Sequence, residues 1–261
     1  MIFINIDNIS VYNKLVTLLN ETREIENAGW IPCVSCGSGT VGRTFENALG
    51  IDENTFEVPD YDGLVEIKTK IIRKDNLYEF INLFSTVPDS YLFETKRIVK
   101  TYGYPHKRNS ELKVFNLSVY ANKVVFTRKY MFKLCVDRNK NQLVLNIYDR
   151  FSFELIDNDV AWSFDLLSQK LYRKLKYLLY VKARKKMING KVFFCYSNSK
   201  LYILKDFECF LTAIERGYIR VTFKIGSYTW GYKYGNVNDH GTSFDINENY
   251  IEELFKPFIQ K

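Results

Sequence analysis

The apolar positions of this chain change period several times, and each change marks an element. In ISVYNKLVTLLNET (9–22), Val11, Leu15, Leu18 and Leu19 recur near helical spacing, which predicts an amphipathic opening helix. SCGSGTVG (35–42) reads as a turn, and VGRTFENALG behind it as a short helix stopped at Gly50. Residues 64–72 alternate and are β-branched, which predicts a strand. LYEFINLFS (77–85) predicts a second strand, and LFETKRIVKTYG (92–103) a helix closed by its glycine. ELKVFNLSVYA, YMFKLCVD, QLVLNIYD and FSFELID follow as strands, with DRNKNQ (137–142) as a hairpin link.

From Asp159 the pattern changes. WSFDLLSQKLYRKLKYLLYVKARKK holds a helix and a strand in a strongly basic stretch. DFECFLTAIERG (206–217) predicts a helix with a glycine stop, and YIRVTFKIGSY (218–228) a strand. The loop TWGYKYGNVNDHGT, a short strand SFDIN and a last helix YIEELFKPF complete the chain, with no internal repeat or Pro-rich linker. The mixture is α/β or α+β. It predicts one compact body of two lobes, 1–160 and 161–261, meeting near residues 158–162.

At 261 residues the chain has ample length to bury a core, and 46% hydrophobic residues argue for a globule. No stretch approaches the run of about 20 apolar residues that spans a bilayer. The opening MIFINIDN lacks the basic segment and small-residue cleavage site of a secretion signal, so a cytoplasmic protein with reduced cysteines is expected. Charge then sharpens the picture. Residues 1–69 carry Lys14, Arg23, Arg43 and Lys68 against eleven acids, a balance of −7, so the other 192 residues carry +14 of the net +7. An acidic cluster inside an otherwise basic chain suits a metal pocket within a polyanion-binding surface.

The acidic cluster is VPDYDGLVEIKTK (58–70). Residues two apart share a strand face, so Glu66 and Lys68 point one way while Val65, Ile67 and Thr69 point the other. Asp62-Gly63 offers a bend that carries Asp60 back over the same face. Asp60, Glu66 and the Ile67 carbonyl would supply hard oxygen ligands for Mg²⁺, with Mn²⁺ as an expected substitute. Such an ion acidifies water and polarises a phosphoryl oxygen. Lys68 is placed to orient the water or offset charge on phosphorus. Glu46, on the preceding helix, could reach the same water or a second ion. A surface hairpin with alternating charges would share the spacing.

Other signals carry less. Cys33-x-x-Cys36 has no second cysteine pair for zinc. Gly37, Gly39 and Gly42 precede no Gly-Lys-Ser/Thr. His106 sits in the loop YGYPHKRN, and most of the 19 tyrosines and 20 phenylalanines should be core.

Five blocks in order carry a resemblance: GTVGRTFENALG, VPDYDGLVEIKTK, VAWSFDLLSQKLYRKLKY, IRVTFKIGSY and NDHGTSFDIN. They resemble the MvaI/BcnI family of type II restriction endonucleases, itself similar to the mismatch-repair nicking enzyme MutH. The resemblance runs from Gly29-Trp30 to Asn247. It implies a restriction-endonuclease-like PD-(D/E)xK core, a mixed sheet flanked by helices, with two lobes around a DNA cleft. Asp60, Glu66 and Lys68 match the catalytic signature, and Glu46 the carboxylate of the preceding helix. In this context the glycine loop and Arg43 are expected to approach the DNA backbone.

Lys170, Arg173, Lys174, Lys176, Lys182, Arg184, Lys185 and Lys186 would neutralise phosphates without reading sequence. Arg220, Thr222 and Lys224 share one strand face, while Asp239, His240 and Thr242 are expected on a glycine-containing turn, followed by Asp245. Such side chains can donate to guanine or accept from cytosine. Thr222, Lys224 and Asp245 depart from the acid and arginines that the family implies for C/G-rich sites, so no target sequence is transferred. The resemblance implies a Mg²⁺-dependent enzyme on double-stranded DNA that works as a monomer, nicks each strand in turn, and is paired with a separate DNA methyltransferase. A MutH-like nickase and a catalytically silent DNA-binding module are the alternatives, and the intact Asp60, Glu66 and Lys68 set argues against the last.

Overall fold

The computed structural model describes residues 9–35, 37, 39–51, 58–72, 79–90 and 95–260. In chain order the elements begin with α1 (Ile9–Asn27), β1 (Trp30–Pro32), α2 (Thr40–Ala48), β2 (Val65–Ile71), β3 (Phe80–Ser85), α3 (Thr95–Tyr102), β4 (Tyr104–His106) and β5 (Asn109–Val119). Then come β6 (Val125–Phe126), β7 (Tyr130–Asp137), β8 (Gln142–Asp149), β9 (Leu155–Ser163), α4 (Phe164–Leu175), β10 (Tyr177–Ile188) and β11 (Lys191–Leu204). The chain closes with α5 (Phe207–Glu215), β12 (Ile219–Ser227), β13 (Val237–Asn247), a 3-10 turn (Glu248–Tyr250), α6 (Ile251–Leu254) and β14 (Phe255–Pro257). The expected mixture of strands and helices is what the chain forms. The opening residues 1–8, Cys36 and the first part of the strand expected over 77–85 lie outside the described residues.

The chain divides into two compact units that interleave along the sequence. Unit 1 comprises Met1–Leu77, Arg173–Leu204 and Phe255–Lys261; unit 2 comprises Tyr78–Tyr172 and Lys205–Leu254. The boundary expected near residue 160 therefore differs from the division found. The reason is pairing: β10, from the second half of the chain, runs parallel to β2 from the first, with Tyr177 opposite Val65 and Leu179 opposite Ile67. Hydrogen bonds along that ladder join distant segments into one sheet, and unit 2 enters as insertions.

In unit 1 the sheet order is β1-β11-β10-β2, with β14 also on β11. Val65 and Ile67 pack with Leu15, Leu18 and Ile25 of α1, Phe45 of α2, and Leu179 and Val181 of β10 in one core. Burial of each large aliphatic there contributes about 1.5–3 kcal/mol. Leu15, Leu18, Thr22 and Ile25 are the buried positions of α1, at the three- and four-residue spacing of a helix face. β2 thus has one apolar face against helices and one face that bears Glu66 and Lys68.

Strand β11, at the centre of this sheet, is the element that periodicity passed over. Its signal was the Asn189-Gly190 turn, both at positive φ (49° and 74°), which closes an antiparallel hairpin with β10. Unit 2 holds a five-stranded sheet, β3-β13-β12-β5-β4, and a four-stranded one, β6-β7-β8-β9. Aromatic rings fill its core: Trp162 lies 5.6 Å from Phe244 and 6.0 Å from Phe223, and Phe115 lies 5.1 Å from Phe223.

Two further expectations shift. The strand expected over FSFELID begins only at Leu155, because Asp149 accepts from the Phe151 and Ser152 amides and holds the preceding residues in a turn. The last helix is a single turn. Phe255–Pro257 leaves it to pair with β11, satisfying backbone groups that a short helix could not.

Candidate active site

The chain reverses immediately before β2. Asp62 and Gly63 both take positive φ, 52° and 63°, and Tyr61 bridges antiparallel to Val65. That return lays Asp60 alongside the strand, where its Oδ2 accepts from the Ile67 amide at 2.8 Å. The amide and carbonyl of one strand residue face the same edge, so the Ile67 carbonyl is presented on the Asp60 side as well. The turn is tied to α1: Tyr61 donates to Glu21 at 3.1 Å, and Lys14 pairs with Asp62 at 3.0 Å. Burial and the Glu21 charge push the Tyr61 hydroxyl pKa up to about 12, so it remains a donor.

Glu66 is buried, at 1% exposure, on the face it shares with Leu178 and Tyr180 of β10. One oxygen, Oε1, takes a 2.5 Å ion pair from Lys68 and a second ammonium, Lys174, at 3.5 Å. The other, Oε2, is buried with no hydrogen-bond partner among the described residues. Burial raises the Glu66 pKa; Lys68 pulls it down, Asp60 raises it further, and burial prevails. A buried carboxylate with one unmet oxygen and a second acid beside it is electrostatically incomplete.

Lys174, expected among the phosphate-neutralising lysines, also reaches from the last turn of α4 to the carboxylate at the centre of the acidic cluster, a contact the sequence does not signal. A helix gives no sequence signal of which distant strand its last turn will meet. Of the other basic residues in that group, Lys182–Lys186 lie on β10. Lys186 sits 3.9 Å from the Trp30 ring, with Arg184 over the same ring at 5.9 Å.

Asp60, Glu66 and Lys68 are therefore brought together, with Glu46 on the neighbouring α2. The Glu46 carboxylate lies beside Gly42 and Thr69: a Cβ added to Gly42 would meet Glu46 Oε1 and Thr69 Oγ1, each at 3.4 Å. Thr69 alternates with Ile67 and Val65, on the face opposite Glu66. Among the described residues no three acids, histidines or cysteines gather tightly enough to hold an ion by side chains alone. The donor set is two carboxylates and the Ile67 carbonyl. That set fits Mg²⁺, which keeps several waters and takes one or two carboxylates, and the orphaned Glu66 Oε2 has the vacant lone pairs to meet it. Arg43 lies half-buried on α2, as the fourth residue of the helix that starts at Thr40.

In unit 2 the residues assigned to base reading fall into three groups. Asp245 is buried and accepts from Thr222 (3.0 Å), Asn82 (3.1 Å) and Arg220 (3.4 Å); Arg220 also stacks 3.7 Å from the Phe80 ring. Thr222 in turn shares a 3.0 Å hydrogen bond with Ser118. Thr242 pairs with Phe223 across the strands and is 1% exposed, so it faces the core instead of the expected turn. Lys224, Asp239 and His240 are exposed. They lie on strands: β13 starts at Val237, and His240-Gly241 form a bulge opposite Lys224, between the Phe223–Thr242 and Ile225–Asp239 pairs. A bulge is a device for re-aiming side chains. Asp239 is held by the Gly241 amide and Thr95, and His240 bonds Asn238 at 3.0 Å.

Comparison with solved structures gives the class. The chain superposes on restriction endonuclease MvaI in its cognate DNA substrate complex with a TM-score of 0.80 and 28% identity, covering 94% of this chain and 97% of that one. A structure of MvaI in the absence of DNA matches at a TM-score of 0.60 and 24% identity, over 94% and 96% of the two chains, and supports the fold. The fold is that of a restriction endonuclease. The MvaI/BcnI restriction endonuclease family matches residues 19–255, and the chain belongs to that family. It is thereby a type II site-specific deoxyribonuclease. A search of curated proteins finds no match. No helix among the described residues is long and apolar enough to cross a membrane.

Proposed function

We propose that this chain binds double-stranded DNA and hydrolyses one phosphodiester bond in each strand at a specific short sequence, in a Mg²⁺-dependent reaction centred on Asp60, Glu66 and Lys68. The observation that carries this reading is Glu66: a buried carboxylate with one oxygen held by two lysines and the other unmet, beside Asp60 and the Ile67 carbonyl. Hydrolysis adds one water across a P–O bond, hydroxyl to phosphorus and proton to the departing sugar oxygen. Mg²⁺, held by Asp60, Glu66 and the Ile67 carbonyl, would supply Lewis acidity toward the phosphoryl oxygen and the attacking water.

The chain's own groups do the rest. Asp60, braced by the Ile67 amide, fixes one ligand direction. Lys68 orients the water and offsets the negative charge that grows on phosphorus. Lys174 shares Glu66 with it and adds a second positive charge at the same point. Glu46, on α2, is the further carboxylate for ordering the attacking water or a second ion. Among the described residues there is one such site per chain, which suits a monomer that nicks the two strands in separate events. A separate DNA methyltransferase would then protect the host sequence. MvaI has been solved on its cognate DNA, which supports duplex DNA as the ligand here. In unit 2, Lys224, Asp239 and His240 are the exposed candidates for base contact, and Arg220, Thr222 and Asp245 form a hydrogen-bonded cluster on the same two strands.

The test is a digest of unmethylated phage DNA and supercoiled plasmid, in Mg²⁺, Mn²⁺ or EDTA, with Asp60→Ala in parallel. Discrete bands that need the ion and vanish in the variant are expected, and sequencing their ends gives the site. Nicked circles alone would replace this reading with a MutH-like nickase. Cutting that persists in Asp60→Ala would overturn the site.

A further inference from the structure

Most aromatic rings in unit 2 are packed; Phe126, Phe151 and Phe153 stand out singly or in a turn, and the two most exposed rings share one segment. Between β12 and β13, Trp230 is 84% exposed and Tyr232 94% exposed. Their setting is folded: Tyr228 and Gly235–Asn236 close a hairpin end, with Gly235 donating to the Tyr228 carbonyl at 3.0 Å and Tyr228 to the Asn236 carbonyl at 2.9 Å. Inside it, the Tyr234 and Asn236 amides donate to the Gly231 and Lys233 carbonyls. Gly231 and Gly235, at φ 77° and 81°, supply the left-handed turns that other residues resist. The end is also anchored sideways, since Asn109 donates to the Tyr234 hydroxyl at 2.7 Å and Ser227 to the Lys113 carbonyl at 2.6 Å.

Large rings held in water by an ordered turn lack a packing reason and mark a contact surface. The charge around them selects the partner. Lys233 stands over the Tyr228 and Tyr232 rings at 5.4 and 5.6 Å. Beside the hairpin lies a pocket of about 560 Å³, lined by Tyr104, His106, Lys107, Arg108, Asn109 and Thr229 among others. No acidic side chain lines it. Basic groups interleaved with exposed aromatic faces match nucleic acid, where phosphates meet lysine and arginine and bases stack on rings.

We propose that the 228–236 hairpin end is a stacking platform for an unstacked DNA base, with Lys107 and Arg108 of the adjoining pocket on the neighbouring phosphates. The proposal rests on the reading that this chain acts on DNA. A paired base in duplex DNA shows only its edges in the grooves, so an exposed indole can present its face only where a step is opened or a base extruded. Stacking of this kind tolerates any base identity. The hairpin therefore adds affinity for deformable or opened DNA beside the sequence that Lys224, Asp239 and His240 would read.

The test uses the full-length Asp60→Ala protein, so that DNA stays intact, and two 30-base-pair duplexes: one fully paired, one with a single central unpaired 2-aminopurine. Tighter binding to the second duplex is expected, with quenched tryptophan emission. In Trp230→Ala that preference should fall by about 5- to 150-fold. Trp230→Phe should keep the preference and lose the quench, because Trp162 is buried and Trp30 lies under Lys186. Equal binding of the two duplexes, with no quench, overturns the platform while leaving DNA binding in place. Weaker binding in Lys107→Ala with no effect of Trp230→Ala makes the pocket a phosphate contact alone and also overturns it. No binding to either duplex, together with no cleavage by the unaltered protein, overturns the nuclease reading and the platform with it.

Discussion

Glu66 in unit 1 and Asp245 in unit 2 are both buried strand carboxylates with basic neighbours, and their surroundings differ in one respect. Asp245 is complete: a threonine, an asparagine and an arginine donate to it, and the strand partners that supply them are fixed by the sheet register. Glu66 is incomplete, with two lysines on one oxygen and, among the described residues, no donor to the other. Burying a charge is tolerable when its bonds are met, so the first arrangement stabilises the fold. The second retains electrostatic demand that a further cation would satisfy, and that demand is what chemistry can use.

The largest expected effect breaks the incomplete site outright. Asp60→Ala and Lys68→Ala should each lower cleavage by at least about 10³-fold with the circular dichroism spectrum unchanged, since each removes a ligand or charge needed at the reacting phosphate. Lys174→Ala comes next. As a group acting through Glu66 it should cost about 10- to 100-fold in activity, partly restored by Lys174→Arg, and the cost should show as a higher Mg²⁺ requirement. A Lys174→Ala protein with an unaltered Mg²⁺ titration would return that residue to the solvated helix face.

A buried acid away from both sites supplies a calibration. Burial alone would raise the Asp157 pKa, but bonds from Tyr102, the Asp159 amide and Arg97 outweigh it and hold the pKa below the ordinary carboxylate value. A lowered folded-state pKa gives stability that is present above the unfolded value and lost as pH falls through the folded one. Asp157→Asn should therefore cost about 2 kcal/mol in urea unfolding at pH 7, discounted for the partial exposure of Arg97, with the gap closing below about pH 4.

The comparison sharpens into a difference of sign. Asp245→Asn should lower stability by about 1–2 kcal/mol, because an acceptor is lost from a satisfied network. Glu66→Gln should abolish cleavage yet raise the melting temperature in EDTA by about 1–3 °C, because a buried charge is replaced by a neutral group that still accepts from Lys68. Melting curves that move the same way for both would erase the distinction. The smallest effect belongs to Lys224→Ala, an exposed cation: affinity for DNA should fall about threefold, and the salt dependence of binding should lose about one phosphate contact.

Local spacing made much of this legible. The apolar period of 9–22 placed α1, and the β-branched alternation of 64–72 placed β2 within a residue at each end. Alternation also put Glu66 and Lys68 on one face, and Asp62-Gly63 signalled the reversal that returns Asp60 to Ile67. These features depend on a few consecutive residues and on backbone sterics, which a sequence carries directly. Charge imbalance along the chain was equally visible, as was the basic ribbon of β10.

What needed the tertiary structure was every relation between segments far apart in the chain. The parallel pairing of β2 with β10 interleaved the two units and removed the boundary expected near 160. The reach of Lys174 to Glu66 and the burial of Thr242 against Phe223 both follow from which elements pack together. Desolvation belongs to the same class. Whether a carboxylate is a surface charge, a satisfied brace or an unmet ligand depends on what covers it, and that is set by packing across the whole chain rather than by its neighbours in sequence.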